Sequence, residues 1–273
     1  MRSSLKRIAA LARIILIDGM RRYALIGLLA LSLATEAAGL LFFDFIPRDI
    51  GRASSDFLFS VSWLAGFVFI FFHAVQTMAW DEERQVIHSL LARPISRAEY
   101  VLGVFAGLGT LLLALNICLG IIGWGTLMII KNSVETYYFS YFSNGYYLLN
   151  WVGLFAMEIA ILGAIMLFSG LIRGSFPVLL VSLCYYLICS GLPVVREVTQ
   201  QLLEKGEGAF SSRLLKGLAL FFPDYGKLDF KNAIVTDIHL SWFQVSTNLG
   251  LVLIYAMILL WFSCLAYQKR DLL

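Results

Sequence analysis

Apolar residues run along this chain in long blocks, without the two-residue alternation of a half-buried strand or the one-sided stripe of a soluble helix. Residues 23–43, 57–80, 97–130, 147–172, 176–194 and 242–267 are each apolar on nearly every side. A hydrocarbon layer of about 30 Å takes roughly 20 helical residues to cross. The pattern predicts an all-α, polytopic membrane protein with six transmembrane helices, organised as one domain over residues 1–273. The third block is too long for one upright crossing, since its 34 residues rise about 51 Å at 1.5 Å each. It must tilt, project from the membrane or kink, and Asn116, Gly120, Gly123 and Gly125 mark the place where a kink is expected.

Three segments between and before the blocks have their own periodicity. In residues 1–22, Ile8, Leu11, Ile14 and Ile15 recur at helical spacing among Lys6, Arg7, Arg13, Arg21 and Arg22, which predicts an amphipathic helix held at the membrane interface by its apolar face and by anionic lipid. In residues 81–96, Val86, Ile87, Leu90 and Leu91 form an apolar stripe against Glu82, Glu83, Arg84, Gln85, His88 and Ser89. That is an amphipathic helix of about three turns, ended where Pro94 pushes Arg93 out of helical conformation. Ser96 and Glu99 then read as a capping box that starts the third block. In residues 195–241, Val195, Val198, Leu202 and Leu203 predict one short helix, and Leu214, Leu215, Leu218, Phe221 and Phe222, behind the caps Ser211 and Ser212, a second. Pro223 and Asp224 come next as a turn.

Charge orients this arrangement. Twelve Lys and Arg residues flank the spans on the side of the two termini, against three in the short loops opposite, so the positive-inside rule places both termini in the cytoplasm and the 195–241 loop outside. Composition agrees with lipid as the main solvent: the chain is 60% hydrophobic and 14% charged, where soluble domains carry about 25% charge. The net charge of +3 is too small and too scattered to suggest nucleic acid as a partner. Cys118, Cys184, Cys189 and Cys264 all lie in apolar blocks and show no ligand spacing, so neither a disulfide framework nor a metal site is expected. His73 and His88 begin no H-E-x-x-H motif, and no G-x-S-x-G turn occurs, so no enzyme activity of the chain's own is expected.

The stretch from Glu83 to Gly103 resembles the permease subunits of ABC-2 type ABC transporters. Glu83, Arg84, Ile87, Leu90, Leu91, Ala92, Arg93, Pro94, Ile95, Ser96, Arg97, Glu99, Tyr100, Leu102 and Gly103 look like that family's pattern between its second and third helices. The six spans, the amphipathic start, the helical outer loop and the basic tail Lys269, Arg270 are similar too. The resemblance implies a coupling helix over residues 81–94 that docks on a separate ATP-binding subunit. Asp81, Glu82, Glu83, Arg84, His88 and Arg93 would supply polar contacts, Ile87, Leu90 and Leu91 the apolar anchor, and Pro94 the fixed break. It further implies two ATP-binding subunits, a second permease copy or a paralogue, an exporter in a bacterial-type inner membrane, and ATP with Mg held by the partner. The chain itself has no G-x-x-x-x-G-K-[ST] loop, because Gly226-Lys227 is followed by Leu228. No cofactor of its own is expected.

Three ionisable residues fall inside predicted spans: Glu36, Glu158 and His73. A charge there costs at least about 2.5–3.5 kcal/mol on the insertion scale and faces protein or water. Glu36 shares a helical face with Ser32 and Gly39, small residues that admit a neighbouring helix, as does the pair Gly103 and Gly107 in the third block. Two alternatives to the ABC reading stay open: a proton-coupled secondary transporter using Glu36 and Glu158, and a non-transporting membrane scaffold. Nothing in the apolar blocks identifies a cargo.

Overall fold

A computed structural model describes residues 2–21, 24–43, 49–78, 95–204, 221–237 and 240–269. These residues are helical with no strand among them, as lipid requires of a chain that must satisfy every backbone N–H and C=O within its own segment. The long helices are α1 (Arg2–Arg21) and α2 (Ala24–Phe43), α3 (Ile50–Met78), and α4 (Arg97–Ser133), α5 (Asn144–Leu171), α6 (Ser175–Glu204) and α7 (Trp242–Lys269). Five of them, α3 to α7, contain stretches long and apolar enough to cross a membrane, and α1 with α2, bent by 53° at their junction, make a sixth if taken as one broken span.

The core lies where α3, α4 and α5 meet, with Leu108, Leu112, Leu162, Ile165, Phe69 and Ile70 wholly enclosed. Between apolar helices in lipid there is little hydrophobic drive, so close approach and polar contacts hold the bundle. Both are visible along the parallel seam of α5 and α7. Gly163 admits Ala256 and Leu259, Gly170 lies against the ring of Tyr267, and the Ser169 and Tyr267 hydroxyls are 3.0 Å apart. The outward faces of α6 and α7 stay apolar and uncovered, with Leu187, Leu251, Met257 and Trp261 among the exposed residues.

Two sequence expectations are corrected. Helix α4 runs through Asn116, Gly120, Gly123 and Gly125 without a break, and its 37 residues reach about 55 Å. No helical break occurs there: Gly120 lies under the Trp151 ring and Gly123 beside the Tyr147 hydroxyl, while Gly125 faces open space. The irregularity sits instead in α3, where Phe69–Ala74 form a π-helical turn. Likewise the helix expected to start near Val195 is the continuation of α6, which carries Pro193 inside it and runs to Glu204. The second expected loop helix, over residues 211–220, lies outside the described residues.

The amphipathic α1 does not lie free on a surface. It stands parallel to the first turns of α4 at a constant offset of 92 residues, set by the Arg7–Glu99 pair. A Cβ on Gly103 would lie 2.6 Å from the Leu11 Cβ, and one on Gly107 2.8 Å from the Ile15 Cβ. The small-residue pair of the third block therefore receives α1. Ile14 points away from this seam and is exposed with Leu5, Ile17 and Met20. Those residues are the face left for lipid.

Candidate functional site

The first turn of α4 gathers both ends of the chain. Ser96 caps it, the Ser96 hydroxyl accepting from the Glu99 N–H at 3.2 Å while the Glu99 carboxylate accepts from the Ser96 N–H at 3.0 Å. This is the capping box expected from the sequence, and it frees no more of Glu99 than the outer lone pairs. Those are taken by α1: Arg7 donates through Nε at 3.0 Å and through Nη2 at 2.6 Å, and the Ser4 hydroxyl donates at 2.5 Å. The planar guanidinium matches the carboxylate fork, which fixes direction as well as distance. Two residues earlier, Arg97 donates through Nη1 to the carbonyls of Tyr267 and Gln268, each at 3.1 Å. These carbonyls belong to the last turn of α7, where acceptors are left over and a cation is favoured. Tyr100, 2% exposed, completes the junction with its ring 6.2 Å from that of Tyr267.

Residues Asp81, Glu82, Glu83, Arg84, Ile87, His88, Leu90, Leu91, Arg93 and Pro94, singled out as the coupling segment, lie outside the described residues. Ser96, the cap of α4, stands just beyond Pro94 in the chain. Any force entering α4 from that segment meets a turn that is tied to α1 by Glu99 and to α7 by Arg97. Arg7, grouped by its sequence neighbourhood with lipid-attracting basic residues, is instead the partner of Glu99. No local pattern pairs two residues so far apart in the chain. The repeated spacing of Leu11 and Ile15 against Gly103 and Gly107 is the one signal that pointed that way.

The intramembrane polar residues occupy separate places. Glu158 on α5 is 1% exposed. Its Oε2 accepts from the Asn116 amide of α4 at 2.5 Å, and the same amide donates to the Leu112 carbonyl. Its Oε1 has no hydrogen-bond partner among the described residues and rests on α3 at Gly66, where a Cβ would come within 1.8 Å of it. One turn beyond Gly66 the π-helical turn begins, a feature common near functional positions because it re-aims side chains and loosens the hydrogen-bond ladder. Glu36 on α2 is 2% exposed, shares its buried face with Ser32 and Gly39, and has no partner for either oxygen among the described residues. Thr126 of α4 is the polar side chain turned towards it. Asn116 and Thr126 are ten residues apart on α4, about 15 Å along the axis, so the two carboxyl groups are not brought into one site. His73, in the π-helical turn, stacks on Phe69 at 5.1 Å and faces Gly19 of α1.

Comparison with protein-family models gives no match, and comparison with curated proteins gives no similar sequence. The functional reading therefore rests on the residues and on the fold: among the described residues, helices without strands, long and apolar enough for five or six membrane crossings.

Proposed function

We propose that this chain is the membrane-spanning permease subunit of an ATP-driven transporter of the ABC-2 type, an exporter in a bacterial-type inner membrane with both termini in the cytoplasm. It pairs with a second permease copy or a paralogue and with two ATP-binding subunits, one of which docks on residues 81–94 of this chain. The observation that carries the reading is the junction at Arg97 and Glu99. A coupling segment is useful only if its displacement reaches the bundle, and here the turn that comes after it is bonded to α1 and α7 together. The permease then contributes differential contacts in two states and no bond-breaking chemistry.

The test is co-expression of the full chain with its candidate ATP-binding subunit. Replacing Leu90 and Leu91 with Asp together removes the apolar anchor, and loss of the complex and of transport-linked ATPase activity is expected. A complex and an activity unchanged by the two substitutions would overturn the assignment.

A second reading, a proton-coupled carrier, draws on one feature: the carboxyl of Glu158 sits among three helices with one oxygen unpartnered among the described residues. Its expectation is transport that survives ATP depletion, follows a proton gradient and stops in Glu158→Gln. The separation of Glu36 from Glu158 weighs against a two-carboxylate relay. Uptake in proteoliposomes with either energy source decides between the two.

A further inference from the structure

At the end of the bundle opposite the Arg97 junction, residues 225–235, between α6 and α7, form a docked roof. Its 3₁₀ turn, Tyr225–Leu228, approaches so closely that a Cβ on Gly153 of α5 would be 2.5 Å from the Leu228 carbonyl, and one on Gly226 2.6 Å from the Pro193 ring of α6. The Tyr225 and Tyr185 hydroxyls are 3.0 Å apart, and the Phe230 N–H donates to Oδ1 of Asn150 at 2.8 Å. A helical turn at Asn232–Val235 then anchors the loop to the start of α5, the Ser143 N–H donating to the Ile234 carbonyl at 3.0 Å.

Beneath this roof, between α3, α5 and α6, lies a cavity of about 280 Å³, close to the lower end of small-molecule sites. Phe59, Trp63 and Tyr225 give it aromatic walls, and Asn150 and Ser190 give it polar points. Asn150 is 4% exposed. Its Oδ1 is engaged by the Phe230 N–H, so Nδ2 is the group it turns to the cavity. Asp229 and Lys231 also line the cavity, but they close on each other at 3.3 Å and so present no net charge. From Trp63 an aromatic row continues along α3 through Phe67 and Phe71, each ring touching Tyr186 of α6.

We infer that this cavity is a binding site for a small uncharged amphipath, a planar apolar ring system bearing a carbonyl-type acceptor. The ring lies against Phe59 and Trp63, where stacking and burial act together. The acceptor takes the Nδ2 donor that Asn150 offers to the cavity, a gain of one hydrogen bond. Charged ligands find no counter-ion, because Asp229 and Lys231 neutralise each other. The site depends on the roof and α5, not on residues 81–94, and it stands whether or not the chain docks an ATPase.

The experiment is equilibrium dialysis of the purified full chain in detergent, without any ATP-binding subunit, against acetylnaphthalene and its acceptor-free isostere isopropylnaphthalene. Asn150→Asp keeps an oxygen for the Phe230 N–H and replaces the donor with an acceptor, so the roof stays docked. The affinity ratio of ketone to hydrocarbon is expected to fall about three- to tenfold in that variant, the size of one hydrogen bond. Trp63→Ala is expected to weaken both ligands by up to about tenfold while leaving the ratio unchanged. A ratio indifferent to Asn150→Asp, or affinities indifferent to Trp63→Ala, overturns the site. Failure of the ATPase docking experiment leaves this result untouched, and the reverse also holds.

Discussion

Gly66→Ala is expected to lower the stability of the folded chain by about 3 kcal/mol, the upper part of the range for overpacking a filled interior. A Cβ at this position would stand 1.8 Å from Oε1 of Glu158, well inside van der Waals contact. The carboxyl must then retreat, yet Glu158 is 1% exposed and held at its other oxygen by Asn116. Retreat breaks that bond or pushes α5 from α3, two of the three helices that form the core. Gly66→Val adds two further methyl groups and is expected to prevent accumulation of the folded protein. Thermal unfolding in detergent is the measurement, with a fall of roughly 5–10 °C expected for the alanine variant. Gly125→Ala is the control, because no atom lies within 4 Å of a Cβ there and alanine is the better helix former by about 1 kcal/mol. Gly66→Ala combined with Glu158→Ala is expected to be less damaged than the sum of the two single changes. An additive pair, or a Gly66→Ala protein as stable as the parent, would show that the carboxyl does not press on α3.

The contrast between these two glycines shows where sequence reading reaches and where it stops. Both stand in apolar blocks with the same local signature; only the helix opposite distinguishes them. What depends on local pattern was legible. The spans follow from uninterrupted apolar runs, and the Ser96–Glu99 cap follows from a four-residue motif that appears as expected. The burial of Ser32, Glu36 and Gly39 on one face follows from 3.6-residue periodicity. Pairings across the chain were not legible. Nothing near Arg7 announces Glu99, and nothing near Asn150 announces the Phe230 N–H. The π-helical turn at Phe69–Ala74 was equally hidden, since it holds neither Pro nor Gly. The Asn116 region drew attention for its glycines as the place for a kink. Its role in the fold is to let aromatic rings of α5 lie against an uninterrupted α4.

These long-range bonds alter the mechanical picture of the termini. A helix that merely floated on lipid would follow the membrane, whereas α1 seated on Gly103 and Gly107 follows α4. The last helix is held in the same way through its carbonyl end by Arg97. If residues 81–94 are the proposed coupling segment, a displacement of the first turn of α4 would reach the first and last helices through these bonds.

Glu99→Ala should loosen α1 on the bundle, and this is the second large effect expected. Glu99 accepts from the Ser4 hydroxyl, twice from Arg7 and once from the Ser96 N–H, so truncation removes the link to α1 and half of the capping box at one stroke. Amide hydrogen exchange in residues 2–21 is expected to quicken by on the order of tenfold, as a helix still seated on Gly103 and Gly107 loses its polar anchor and opens locally more often. Glu99→Gln separates the two roles. Glutamine still closes the capping box, so the first turn of α4 stays protected, but it cannot meet the guanidinium as a two-oxygen anion, and α1 alone should loosen. Arg7→Gln is expected to give the same exchange pattern as Glu99→Gln, and the double variant to be no worse than either, because each removes the same pair. Arg97→Gln is expected to quicken exchange in the last turn of α7 and leave α1 unaffected. If the chain is the proposed permease, the complex of Glu99→Gln with its ATPase still assembles through residues 81–94 and still hydrolyses ATP, while transport per ATP falls. Unchanged exchange in α1 would refute the clamp itself. Faster exchange with transport per ATP intact would leave the clamp standing and remove it from the path by which force reaches the bundle.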